Sequence, residues 1–219
     1  MPTFFHGSNL DNVIRPGLLP TGGVVINPPT APLPFPGPGI DVIFGNGGDD
    51  VLWGGGGNDN IFGGTDNDRL RGQAGQDFLG GGGGNDLLIG GAGADDLFGG
   101  SDNDTFRYIS VNDSPQDAPD RITAPDGTAA FDGPGTTFSW EPNDKIDLSA
   151  IDAVANNANP TDDFVFGGTG AGRVSVVNDG DTTIVRANVD GDNAFELWIE
   201  IEDGDDVSAE DYGAMDFVL

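Results

Sequence analysis

Eight aspartates, Asp41, Asp50, Asp59, Asp68, Asp77, Asp86, Asp95 and Asp104, stand nine residues apart without a slip. Two places after each comes a large apolar residue: Ile43, Leu52, Ile61, Leu70, Leu79, Leu88, Leu97 and Phe106. The unit is G-G-x-G-x-D-x-U-x, where U is apolar; "GGGGNDNIF" (54–62) and "GGAGADDLF" (90–98) show it cleanly. A structureless polar tract does not keep an apolar residue in step with each aspartate over eight units. The glycines pose the question: 22 of the 38 fall within 39–107, and each costs folding entropy while burying nothing. Something must offset that cost.

Oxygen chemistry supplies it. A calcium ion takes roughly six to eight oxygen ligands at about 2.3–2.6 Å, from carboxylates and backbone carbonyls. The six-residue turn G-G-x-G-x-D offers both, because glycine permits the positive φ that turns carbonyls inward. One turn cannot surround an ion, but two stacked at a strand spacing of about 4.8 Å can. Each x-U-x triplet then forms a short parallel strand with U in the core, and two nonapeptides make one coil of a parallel β-roll. Alternate turns share a side, so Asp41, Asp59, Asp77 and Asp95 form one column and Asp50, Asp68, Asp86 and Asp104 the other. One ion between each pair of vertical neighbours gives about three per column, about six in all. Metal-binding energy becomes folding energy.

Some units depart from the ideal. Pro36 and Pro38 occupy turn positions in the first, so its Asp41 site is expected to be degraded. Gln73 replaces a second glycine, and Asp66 and Asp102 replace fourth glycines; aspartate tolerates left-handed backbone better than most residues. The seventh and ninth positions point outward, placing Val42, Phe44, Phe62, Phe78 and Phe98 on one sheet. Trp53, Arg69, Arg71, Ile89, Thr105 and Arg107 fall on the other. Exposed aromatic rows call for a cover, and the C-terminal region is the first candidate, ahead of another copy or a ligand.

The rest of the chain bounds the function. A net charge of -29, with 37 acidic residues against 8 basic, excludes binding nucleic acid through its phosphates and strains any compact state unless cations neutralise it. With no cysteine, disulfides and thiolate chemistry are out, which leaves metal as the staple. No window is long and apolar enough to span a bilayer, and the N-terminus has neither the basic nor the apolar region of a signal peptide. Residues 1–38 form an arm holding nine of the fifteen prolines, expected to be extended or irregular rather than helix or sheet. The arm is charge-neutral and apolar, with Phe4, Phe5, Val24, Val25 and Ile26, and is expected to dock on a neighbouring copy and drive self-association. His6, within it, is the single histidine and is read as a surface side chain. After Tyr108 the glycine period stops. "NDKIDLSAID" (143–152) reads as a helical or turn connection, and residues 173–202 alternate as an antiparallel meander.

The nonapeptide is identified as the RTX calcium-binding repeat. From residue 39 to 219, the order of repeats, "GGSDNDTFRY", "NDKIDLSAIDA", "DDFVFGG", "VDGDNAFELWIEIEDG" and terminal "DFVL" resembles the C-terminal domain of serralysin-type secreted proteins. It is also similar to the repeat modules of secreted mannuronan epimerases. The resemblance implies an all-β fold: a right-handed parallel β-roll (39–107), and a C-terminal antiparallel cap (108–219) carrying an uncleaved type I secretion signal. The arm (1–38) lies outside it. It implies an extracellular or cell-surface location in a bacterium, calcium and the type I export machinery as partners, and no membrane insertion. The column aspartates would be the side-chain ligands. Carbonyls of Gly54, Gly55, Gly57, Gly63, Gly64, Asp66, Gly72, Gln73, Gly75, Gly81, Gly82, Gly84, Gly90, Gly91 and Gly93 would complete the shells. Serralysin proteases need H-E-x-x-H, which one histidine cannot supply, so no enzymatic activity is expected. The first functional expectation is a secreted calcium-binding structural protein assembling as a layer, fibre or adhesive. The alternatives are the secretion and folding module of an enzyme, or a polysaccharide-binding module.

Overall fold

The computed structural model describes residues 3–6, 13–14, 25–27, 38–123, 144–152, 164–168, 170–180, 182–190, 194–202, 209–210 and 212–219. Glycine and β-branched spacing leave no helical run, and the described chain is built of strands with two short 3-10 turns.

The repeats wind into two facing parallel sheets. On one, Asp41–Gly47, Asn60–Thr65, Phe78–Gly83 and Asp96–Ser101 pair in register, with Ile43 opposite Ile61, Ile61 opposite Leu79 and Leu79 opposite Leu97. On the other, Val51–Gly56, Arg69–Ala74, Leu87–Ala92 and Thr105–Arg107 align Leu52, Leu70, Leu88 and Phe106. The eighteen-residue step makes two nonapeptides one coil, as the spacing predicts. All eight U residues are buried, at 0–1% exposure, and each such burial contributes roughly 1.5–3 kcal/mol. The strands are longer than the expected triplets. All but Thr105–Arg107 run on through the first three residues of the next turn, so that Gly64 pairs with Gly82; glycine's lack of a side chain lets the ladder continue into the bend.

The roll does not stop at the last repeat. Asp120–Ile122 adds beside Asp96–Ser101, with Leu97 opposite Ile122, and Lys145–Asp147 adds beside Thr105–Arg107, with Phe106 opposite Ile146. The expected connection at 143–152 is therefore partly a strand, with a turn only from Ser149. Its D-x-U spacing, "DKI", carries the signal that the missing glycines hide. Leu197–Ile201 then joins Asp120–Ile122, and Phe217–Val218 joins Lys145–Asp147.

The meander is present: Arg173–Asp179, Thr182–Asn188 and Leu197–Ile201 pair antiparallel. It is hydrogen-bonded edgewise into the roll's first sheet, so it continues that sheet laterally instead of covering the aromatic face. Phe44 stacks on Phe62 at 5.1 Å, and Phe62 meets Phe78 at 5.5 Å over Gly80; the row is half-covered by its own members.

The arm also departs from expectation. Thr3–His6 pairs parallel with Asp41–Gly47, Val13–Ile14 with Val51–Gly56, and Val25–Asn27 antiparallel with Thr3–His6. The arm thus adds strands to the first coil of its own chain, where extended or irregular backbone was expected. These strands fall between the prolines, which lack the N–H a ladder needs. Most of the arm, including "PPTAPLPFP" (28–36), lies outside the described residues.

Candidate metal centre

From Asp59 to Asp104, each column aspartate is fixed by one oxygen and makes no hydrogen bond with the other. The backbone N–H of Asp41 donates to Oδ1 of Asp59, that of Asp59 to Asp77, and that of Asp77 to Asp95, at 2.7–2.8 Å. In the second column Asp50 donates to Asp68, Asp68 to Asp86, and Asp86 to Asp104, at 2.8–2.9 Å. These bonds lock the carboxylates at strand spacing with like charges stacked. The second oxygens of Asp50, Asp59, Asp68, Asp77, Asp86, Asp95 and Asp104 are buried and make no hydrogen bond. A buried, unpartnered carboxylate oxygen is costly in an ordinary protein, so seven of them in two columns fit cation ligation.

The first-position glycines form the other wall. A Cβ at Gly45, Gly54, Gly63, Gly72 or Gly81 would overlap Oδ2 of the aspartate five residues on and crowd the carbonyl of the glycine eighteen residues on. Five cradles therefore each bring one free carboxylate oxygen towards one carbonyl. Gly90 and Gly99 likewise abut the free oxygens of Asp95 and Asp104.

Second and fourth positions hold left-handed backbone. Gly64 (φ +121°) and Gly75 (φ +140°) are required: a side chain there would strike the carbonyls of Asn46 and Gly57 in the coil before. The replacements adopt the same backbone, Gln73 at +85°, Asp66 at +77° and Asp102 at +79°, at a strain of about 1–3 kcal/mol each. Gly55, Gly57, Gly82, Gly84, Gly91 and Gly93 share it. The ligand set read from sequence omits Gly45, Asn46 and Gly48 and the turn at 99–102, which are built alike; the nine-residue register reaches them. Asp41 sits at 3% exposure, and its own turn lies partly outside the described residues.

Outside the columns, the fifth positions form a polar ladder. The backbone N–H groups of Asn67, Gln76, Asn85 and Asn103 donate to the side chains of Asp49, Asn58, Asn67 and Asn85, at 2.8–3.0 Å. Sequence reading missed this ladder, although Asn recurs there.

Without a counter-charge, burial pushes the Asp59, Asp68, Asp86 and Asp95 carboxyls up to about 7, Asp77 to about 6 and Asp104 to about 8. Neighbouring carboxylates add to the rise for several of them, and the column N–H bonds oppose it. Among the described residues no three His, Cys, Asp or Glu side chains converge to hold a metal unaided, so the column shells draw on carbonyls beside the aspartates. A hard cation with a flexible, all-oxygen shell fits this donor set.

Glycine cradles, stacked carboxylates and a two-sheet coil define a cation-binding repeat roll. Residues 35–106 match the family model of the RTX calcium-binding nonapeptide repeat, in overlapping stretches 35–70, 53–88 and 71–106. No curated protein matches the chain. Among solved structures, it is similar to the AlgE6R3 subunit from the Azotobacter vinelandii mannuronan C5-epimerase, at 25% identity over 97% of this chain and 80% of that one, TM-score 0.39. The extracellular lipase LipA from Serratia marcescens aligns at 15% identity over 97% of this chain, TM-score 0.27. This chain spans only 39% of that lipase.

Proposed function

We propose that the chain is a non-catalytic, calcium-triggered structural module of an exported bacterial protein. It stays unfolded where calcium is scarce and folds outside the cell. The observation carrying this reading is the row of buried, unpartnered Oδ2 atoms, each set against a glycine. Calcium would be held by the column aspartates and first-position carbonyls, about one ion per cradle. A chain unfolded without calcium suits type I export, and extracellular calcium modules bind at roughly 10⁻⁴–10⁻³ M.

The structural role is self-assembly outside the cell. The arm supports it: its strands pair edge-on with the first coil, and the same pairing made between copies is head-to-tail and does not close on itself. Circular dichroism in excess chelator and then in millimolar calcium tests the folding reading; full β-content in chelator overturns it. Light scattering of the full chain and of a 2–36 deletion tests assembly. Calcium-dependent polymers of the full chain that vanish on deletion support it, and a full chain that stays monomeric at high concentration overturns it.

A further inference from the structure

The repeats do not exhaust the column. We infer that Asp120, beyond the matched repeats, is itself a calcium ligand, and that with Asp95 and the Tyr108 hydroxyl it holds one further cation at the seam between roll and cap. This rests on the calcium reading above.

Asp120 repeats the geometry of the column. Its Oδ1 accepts the N–H of Asp95 at 2.9 Å, as each aspartate below accepts from its neighbour. Its residue after next, Ile122, continues the buried apolar row opposite Leu97. Its Oδ2 is buried with no hydrogen bond, at 0% exposure for the residue.

Two other buried oxygens lie in the same place: Asp95 Oδ2, which makes no hydrogen bond, and the hydroxyl of Tyr108, a residue at 1% exposure that lies against the Asp120 carboxylate and feels the charges of Asp120, Asp95 and Asp113. Asp113 spends its Oδ2 on the N–H groups of Ile109 and Ser110. The basic group acting on this cluster is Arg71, through Asp113. Asp95, Asp113 and Asp120 are buried carboxylates facing one guanidinium, and Asp96 acts on Asp95 and Asp120 as well. A divalent cation offsets this excess of negative charge, and the open donors are all oxygen, which selects a hard ion.

The turn before Asp120, "SPQDAP" (114–119), has no glycine. Its Ser114 hydroxyl accepts the N–H of Asp120 at 2.7 Å and donates to the Trp198 carbonyl. The carboxylate is thus held by the cap where the repeat signature is absent.

Native mass spectrometry of the full chain, counting calcium ions across a titration, tests the assignment. Asp120→Asn keeps the acceptor for the Asp95 N–H and removes the charge. The expected result is one ion fewer than wild type, with unchanged circular dichroism in saturating calcium. The same count and affinity as wild type overturns the inference. Should Asp120→Asn fail to fold, Tyr108→Phe decides: at least about fivefold weaker binding of one ion supports the site, and unchanged affinity for every ion overturns it. Wild-type protein that binds no calcium at all overturns the calcium reading itself, whereas wild type that binds with no difference in the variants overturns only this site.

Discussion

Roll and cap share one hydrophobic column but satisfy their acidic groups in opposite ways. In the roll, the column aspartates from Asp59 to Asp104 fix one oxygen with a backbone N–H and leave the other bare. In the cap, most described carboxylates find partners from the chain itself, with Asp216 keeping one bare oxygen as the roll aspartates do. Asp113 closes a capping box with Ser110, Asp147 accepts from Ser149 and from Arg107 at 2.6 Å, and Arg121 reaches Glu200 and Glu202. The lesson is that apolar burial alone stabilises neither half equally. The cap can close on side-chain chemistry, while the roll's glycine turns and stacked charges need cations from outside. Asp120 stands where the two regimes meet.

The sharpest way to break this contrast is to remove a mid-column ligand. Asp77→Ala takes away the free oxygen of the Gly72 cradle and the acceptor of the Asp59 N–H. In saturating calcium it is expected to cost about 3 kcal/mol, or about 6–12 °C in melting temperature. Asp41→Ala, at the end of its column, is expected to cost less than about 1 kcal/mol. Equal losses would contradict the pairing of alternate turns.

Protons offer a second handle. The column carboxyls bind protons more tightly folded than unfolded, since burial raises them to about 6–8 from 3.8. The calcium-free fold therefore gains stability as pH falls from about 7 towards 4, and loses it as pH rises through the folded values. With calcium present the order reverses, because the ion needs the deprotonated form. Dichroism in chelator at pH 5 and 7.5, beside calcium titrations at both, is expected to show more β-structure at pH 5 without calcium and tighter calcium binding at pH 7.5.

A third substitution tests the backbone account. Gln73 sits at φ +85° where its counterparts Gly64 and Gly82 are glycine, so Gln73→Gly is expected to stabilise the loaded roll by about 1 kcal/mol in thermal melts. A loss would mean that the glutamine side chain contributes a contact of its own. The smallest effect is expected in the cap: Arg121→Ala removes exposed ion pairs and should change stability by less than about 1 kcal/mol, without altering calcium affinity.

The roll was legible because its period is chemical as well as geometric: Asp and U recur together, and every U from Ile43 to Phe106 is in the core. The last two rungs were harder to see. Ile122 and Ile146 follow Asp120 and Asp144 at the same two-residue offset, but intervals of 25 and 40 residues, which the hydrogen bonds from Asp95 and Asp104 bridge, replace the eighteen-residue step. Local spacing cannot announce a loop of that length. The arm's strands hide for a related reason: proline density over 38 residues masks the short proline-free stretches, such as Thr3–His6, that decide pairing.

Hydrogen exchange followed by mass spectrometry, with and without calcium, tests most directly whether cations hold the roll. Amides of residues 45–106 are predicted to exchange freely in excess chelator and to become protected in millimolar calcium. Strong protection of those amides in chelator would contradict the account, because the roll would then stand without the ions its bare carboxylates require.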